Sequence, residues 1–527
     1  MRSLCLAIAL LAPALALAAD PVEAVIDRHI ETKLKADGIA PAPQADDFTL
    51  VRRLTLDLVG RIPTTQESEG FVASKESDKR AKLVDRLMAS PGFARYQAGL
   101  YEVMLNDGKA GSGLREYLTK AVAANKPWDV MFRDLLLPDD ATNKGVGEYL
   151  KPKLGDTDKL TNDVSVAFFG VNVSCAQCHD HPNVKDWTQD HFYGMKSFLA
   201  RTYDAGGVIA ERPSGLVKFK PTKGPERQAK LMFLTGATIA TDTVRELNKD
   251  EQKKQKEAEE QAKKDKKSPP APPFSARAEL VKLALQPKEA EFFSKNIVNR
   301  LWHRFLGVGL VSPLDQMHSA NRPSHPELLN QLAADTSANK YDLKRLVRGI
   351  VMSKTYSRGS KYSSESHPDT SSYAVAQLKP LTPIQLATSL RIATTDPKTF
   401  DGVKPDEMEK KLEQLEASAR GLASSIAHPT DNFQIGVSEA LLFSNSDKVM
   451  KEFLDDRGGS VLSRLKAEKD ATAAHKLLVQ TALCRPATDT ELKAFAEYAA
   501  RRTDRPAEAN KQMLWALATC PEFRFNH

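Results

Sequence analysis

The segment Ser174-Cys175-Ala176-Gln177-Cys178-His179-Asp180-His181-Pro182 constrains this chain more than any other stretch. Cys-x-x-Cys-His is the spacing used to attach c-type haem. Two thiols must add to two vinyl groups of one porphyrin, so they stand about one helical turn apart. The histidine that follows then offers its imidazole to the iron. On this reading Cys175 and Cys178 hold one covalent haem c, and His179 is the proximal iron ligand. A single motif argues against a multihaem wire and against a dihaem peroxidase.

Other chemistries use similar residues. A zinc site could recruit His181, but His179 and His181 stand two apart, whereas paired zinc histidines usually stand three to five apart. A dithiol redox pair lacks the surrounding βαβ pattern, and a plain structural disulfide is a further option. The sixth iron ligand is left open by the sequence. Its candidates are Met195, His191, His181, Met317 and His318. Met195 shares helical spacing with Phe192 and Phe198, which also suits core packing. Asp180, His181 and Asp186 either orient the proximal imidazole or simply form the turn after the motif.

The N-terminus agrees with a haem reading. Met1 and Arg2 precede an apolar run from Leu4 to Leu17, and Ala16-Leu17-Ala18 forms a small-residue cleavage site. Residues 1–18 therefore read as a signal peptide. The expected mature chain is exported, periplasmic or secreted, and has no transmembrane segment. Haem c is attached outside the cytoplasm, so the two features support each other. Cys484 and Cys520 remain, and in an exported chain such a pair suggests a disulfide, with two buried thiols as the alternative. Lys and Arg number 75 against 68 Asp and Glu. A net charge of +7 over 527 residues is no nucleic-acid footprint.

A chain of this length needs two or three domains. Helical spacing dominates, so the expected fold is mainly α. Two helical domains, residues 19–221 and 276–527, flank a small β-containing segment and charged, Pro-rich linker at 222–275. Thr64 and Glu67 form a capping-box signature. Lys79 to Met88, Phe292 to Phe305, Asp342 to Met352 and Ala471 to Leu483 carry apolar residues at helical spacing. Leu231 to Leu234 and Ala237 to Thr241, around Thr235-Gly236, predict a strand pair. Lys249 to Lys267 reads as a linker or a solvated helix.

Longer stretches carry a resemblance. They are Phe48 to Thr64, Asn125-Lys126-Pro127-Trp128-Asp129, and the cysteine motif with Trp187-Thr188-Gln189-Asp190. Val298 to Val311, Pro323 to Leu329 and Pro521 to His527 extend it. The chain resembles the paired domains of unknown function of secreted planctomycete and verrucomicrobial proteins, the first described as a planctomycete cytochrome-type domain. Asn183 to Asp186 lengthens the step to Trp187, and Arg322 replaces a small residue or proline. The resemblance implies a helical, exported protein with haem, and no particular reaction. Three functions follow as expectations. The first is an exported monohaem redox protein serving a redox partner protein or a small-molecule substrate. The second is a zinc-stabilised scaffold. The third is an accessory enzyme of extracellular polysaccharide breakdown. Asn299, Arg300, Trp302 and His325 are the candidate substrate residues of the second domain.

Overall fold

The computed structural model describes residues 20–109, 111–265, 269, 271–364, 366–429 and 437–527. The signal peptide expected at 1–18 lies outside the described residues. The fold is mainly α, with 57% helix and 5% strand. Its strands form two-stranded antiparallel sheets.

Local signals place the helices. Asp46 caps Asp47–Val59 by accepting from the Thr49 amide, and Gly60 closes it with φ +74°. Thr64 and Glu67 make the reciprocal capping box of Thr65–Ala73. Lys79–Ala89, Glu291–Leu306, Leu343–Met352 and Ala471–Leu483 form as their periodicity predicts. Leu231–Met232 pairs with Thr238–Ile239 across the Thr235-Gly236 turn. Two further hairpins carry no strand-like pattern in the sequence: Thr202–Asp204 with Ile209–Glu211, and Lys218–Phe219 with Arg227–Gln228. The charged run becomes a helix, Lys249–Asp265. Arg212 holds it through Glu259, and Ala262 packs against Ala205 and Ala210.

One hydrophobic core draws on both sides of the 222–275 segment. Trp128 and Phe132 meet Phe293 at ring distances of 6.4 and 4.9 Å, with Phe168 and Phe169 completing the aromatic cluster. Fully burying one such ring contributes about 1.5–3 kcal/mol. A second core joins Leu56 and Ile62 to apolar residues of the C-terminal helices.

Between the cores sits a polar hub. Buried Asp57 accepts from Tyr356 Oη at 2.9 Å, from Lys379 Nζ at 2.8 Å and from Asn526 Nδ2 at 2.8 Å. Burial pushes the Lys379 amine down and the Tyr356 phenol well up. Arg53 donates to the carbonyls of Tyr356, Arg358 and His527. The hub pins the helix Asp47–Val59 to the C-terminal segment.

The expected Cys484–Cys520 disulfide is absent, and both residues are free thiols. Cys484 ends its helix with φ +61°. Its Sγ accepts from Arg52 at 3.7 Å and donates to the Pro63 carbonyl at 3.8 Å. These two partners occupy the thiol, and burial pushes its pKa up.

Candidate functional site: the Cys175–His179 loop

The loop is launched by an irregular helix end. Thr157–Val164 runs into a one-turn π-helix, Ser165–Phe169, which stops at Gly170 with φ +68°. The wider turn frees carbonyls from the regular α ladder. Arg300 Nη2 donates to the Val166 carbonyl at 2.6 Å, and Asn296 Nδ2 donates to that of Ala167 at 2.8 Å. Arg300 Nε in turn holds Asn296 Oδ1 at 2.9 Å.

The chain then docks against the segment 314–319. The Met317 amide donates to the Gly170 carbonyl at 3.0 Å, and the Asn172 amide donates to that of Asp315 at 2.8 Å. Val171 bridges Gln316. Asp186 accepts from the Ser319 amide and hydroxyl, each at 2.7 Å. Burial opposes the Asp186 charge, but these bonds hold its carboxyl below the ordinary range.

Ser174–Gln177 forms a 3₁₀ turn, with Cys178 continuing in right-handed geometry. Buried Ala176 anchors the turn to the core. Cys175 and Cys178 are exposed free thiols. Gln177 is fixed through its side chain to Asp158 and through its carbonyl to Tyr193 Oη at 3.1 Å. Tyr193 stacks on Phe219 at 4.2 Å, so the second hairpin supports the loop. Thr222 donates to Gln189 Oε1, and the Gln189 amide donates to Asp180 Oδ1.

Three nearby imidazoles differ in their hydrogen bonds. His179 Nδ1 lies 2.8 Å from the Asp180 carbonyl. A carbonyl only accepts, so Nδ1 carries a proton, and in the neutral ring Nε2 keeps its lone pair. That is the tautomer of a metal-binding imidazole. His181 Nδ1 instead accepts from the amides of Asn183 and Val184, at 3.3 and 3.1 Å. His191 Nδ1 accepts from the Thr188 amide at 3.3 Å and hydroxyl at 2.9 Å, closing a capping box. Burial lowers the His191 pKa. In both, the neutral ring carries its proton on Nε2.

Of the remaining sequence candidates, all but His318 have packing or hydrogen-bond partners. Met195 is 0% exposed and Met317 5%, both inside the first core. His318 Nδ1 is buried without a partner, and burial lowers its pKa. Asn299 is buried and exchanges two hydrogen bonds with Val311, at 2.8 and 2.9 Å. Trp302 meets Tyr373 edge-on at 5.1 Å. His325 caps Pro326–Ala338 in sequence, and its Nδ1 pairs with the Ser324 hydroxyl. Burial, with Lys33 adding repulsion, pushes its pKa down to about 4. Asn296 joins this set only in three dimensions, since its one sequence signal is a polar residue on a buried helix face.

Among the described residues, no group of three His, Cys, Asp or Glu side chains is arranged to hold a metal ion. No described helix is long and apolar enough to cross a membrane.

Two family models match this chain. Residues 25–204 match PSCyt2, a protein of unknown function (DUF1549), and residues 276–434 match PSD1, a protein of unknown function (DUF1553). The two matched segments follow one another along the chain. Neither the curated proteins nor the solved structures yield a match. The PSCyt2 segment contributes Cys175, Cys178 and His179. The PSD1 segment contributes Arg300 and Asn296, which brace the helix end, and residues 314–319, on which the loop rests. The two domains meet at the motif.

Proposed function

We propose that this protein is an exported, monohaem, c-type cytochrome-like redox protein that exchanges electrons outside the cytoplasm. The observation that carries this reading is the hydrogen bond from His179 Nδ1 to the Asp180 carbonyl, beside two exposed free thiols. The donor set fits the group: two accessible thiols at the attachment spacing, and one imidazole with a bare Nε2.

Cys175 and Cys178 would each form a thioether to the macrocycle, and His179 would bind iron through Nε2. Bound there, haem supplies a one-electron couple. The chain's own part is to hold this geometry. The Asp180 carbonyl fixes the tautomer and ring orientation of His179. Gln177, locked by Asp158 and Tyr193, fixes the turn between the two thiols. The segment 314–319 holds the loop from the PSD1 side. The mature chain is far larger than a carrier needs, so the PSD1 domain would offer the surface for a redox partner protein or a small-molecule substrate.

The test is expression in a host with haem-attachment machinery, followed by extraction of the protein with acidified organic solvent. Haem that stays with the wild-type chain but not with the Cys175→Ala/Cys178→Ala double variant supports the reading. A colourless wild-type chain sinks it.

A further inference from the structure

Resting on the haem reading above, we infer that the described residues of this chain supply one iron ligand only. The face opposite His179 is left to a small exogenous lone-pair donor, such as a diatomic gas, a peroxide or a simple anion. Met195 and Met317 are packed in the core, His181 and His191 already use Nδ1 as an acceptor, and His318 has no acceptor for an Nδ1 proton.

Met195 lies on the helix Gln189–Leu199 with its side chain fully inside the first core. Met317 packs beneath the loop, and a Cβ placed on Gly170 would come within 3.1 Å of its sulfur. Its backbone amide is tied to the Gly170 carbonyl. Both thioethers are packed in the core, whereas the two thiols are exposed.

The histidines fail for a different reason. A neutral imidazole that binds through Nε2 must carry its proton on Nδ1, and that proton needs an acceptor. His181 Nδ1 faces two amide donors instead, from Asn183 and Val184. His191 Nδ1 faces the Thr188 amide and hydroxyl. His318 Nδ1 is buried with no partner, so a proton placed there would stay unsatisfied. His179 alone in this group has a carbonyl waiting for its Nδ1 proton.

A histidine- or methionine-closed site is a pure electron carrier, whereas an open one also binds and activates small molecules. The inference therefore narrows the redox reading toward haem-assisted chemistry on a small ligand.

The test uses the full-length holoprotein. A pyridine haemochrome spectrum of the denatured chain first establishes covalent haem. Its absence would overturn the cofactor reading itself. With haem present, the ferric protein is expected to be high-spin by electron paramagnetic resonance. One equivalent of cyanide should convert it to low-spin, and carbon monoxide should shift the ferrous Soret band within the mixing time. Met195→Leu, Met317→Leu, His191→Gln and His318→Gln should leave the starting spin state unchanged. A low-spin ferric protein that ignores cyanide, or one that any of these variants turns high-spin, would overturn the open-face inference while leaving the haem reading standing.

Discussion

His179 Nδ1 lies 2.8 Å from the carbonyl oxygen of Asp180, while His181, two residues on, receives backbone amides at the same ring position. One turn of chain thus sets two opposite tautomers. Only the first leaves a lone pair on Nε2. His179→Ala should therefore keep the covalent haem, because both thiols remain, but change the ferrous spectrum. Loss of covalent haem in that variant would mean that His179 serves attachment rather than ligation.

Gly170 ends the π-helix with φ +68°, and a methyl group there would meet Asn296 Oδ1 at 2.8 Å and the Leu314 carbonyl at 3.2 Å. Left-handed backbone at a non-glycine residue costs about 1 kcal/mol, and the crowding adds to it. Gly170→Ala should destabilise the protein by about 2–3 kcal/mol, read by urea denaturation. It should also weaken the docking of 314–319, read by faster amide exchange at Met317.

Arg300, suggested by the sequence as a substrate group, braces the Val166 carbonyl and Asn296. Burial lowers its pKa to about 10, with Asp315 supporting the charge. Arg300→Met leaves a buried carbonyl unsatisfied and removes a charge-assisted bond, a cost of about 2–4 kcal/mol. Denaturation should show that loss while the haem content of the folded fraction stays at wild-type level. A stable variant that instead loses a substrate-dependent signal would support Arg300 as a substrate group.

Acid should weaken the fold in two stages. His325 has its pKa pushed down to about 4 by burial, so the unfolded chain takes up a proton there first. Its stabilising share is complete above about pH 6.5 and falls as pH drops toward 4, by roughly 3 kcal/mol. For Glu67, burial would raise the carboxyl, but the paired bonds from Arg61 and the Thr64 amide hold it at about 2. Its share is present above about pH 4.5 and is lost as pH falls toward 2, also by roughly 3 kcal/mol. Urea midpoints from pH 7 to pH 3 should follow that profile, and His325→Asn should flatten the upper stage alone.

Much of the helical fold was readable because its signals are local. Thr64 and Glu67 announce a helix start, and Thr235-Gly236 announces a hairpin, whatever surrounds them. What stayed hidden depends on partners far along the chain. Arg53 and Asp57 look like the polar members of an amphipathic helix. They are buried because Tyr356, Arg358, Lys379 and Asn526 supply their hydrogen bonds. The π-helix at 165–169 was legible only as an apolar run ending in glycine. Its extra residue per turn is stabilised by Arg300 and Asn296, more than a hundred residues later. At the motif, Cys175, Cys178 and His179 were legible from spacing, but the tautomers of His179, His181 and His191 were not. Those are set by backbone groups that only the folded loop brings into place.

The central claim is most directly tested by a pyridine haemochrome spectrum with iron and zinc analysis on the denatured, purified chain, produced in a host that attaches haem c. The account predicts a c-type α-band and one iron per chain. A chain without haem, whether it carries one zinc or no metal, would contradict it and return Cys175, Cys178 and His179 to a structural role.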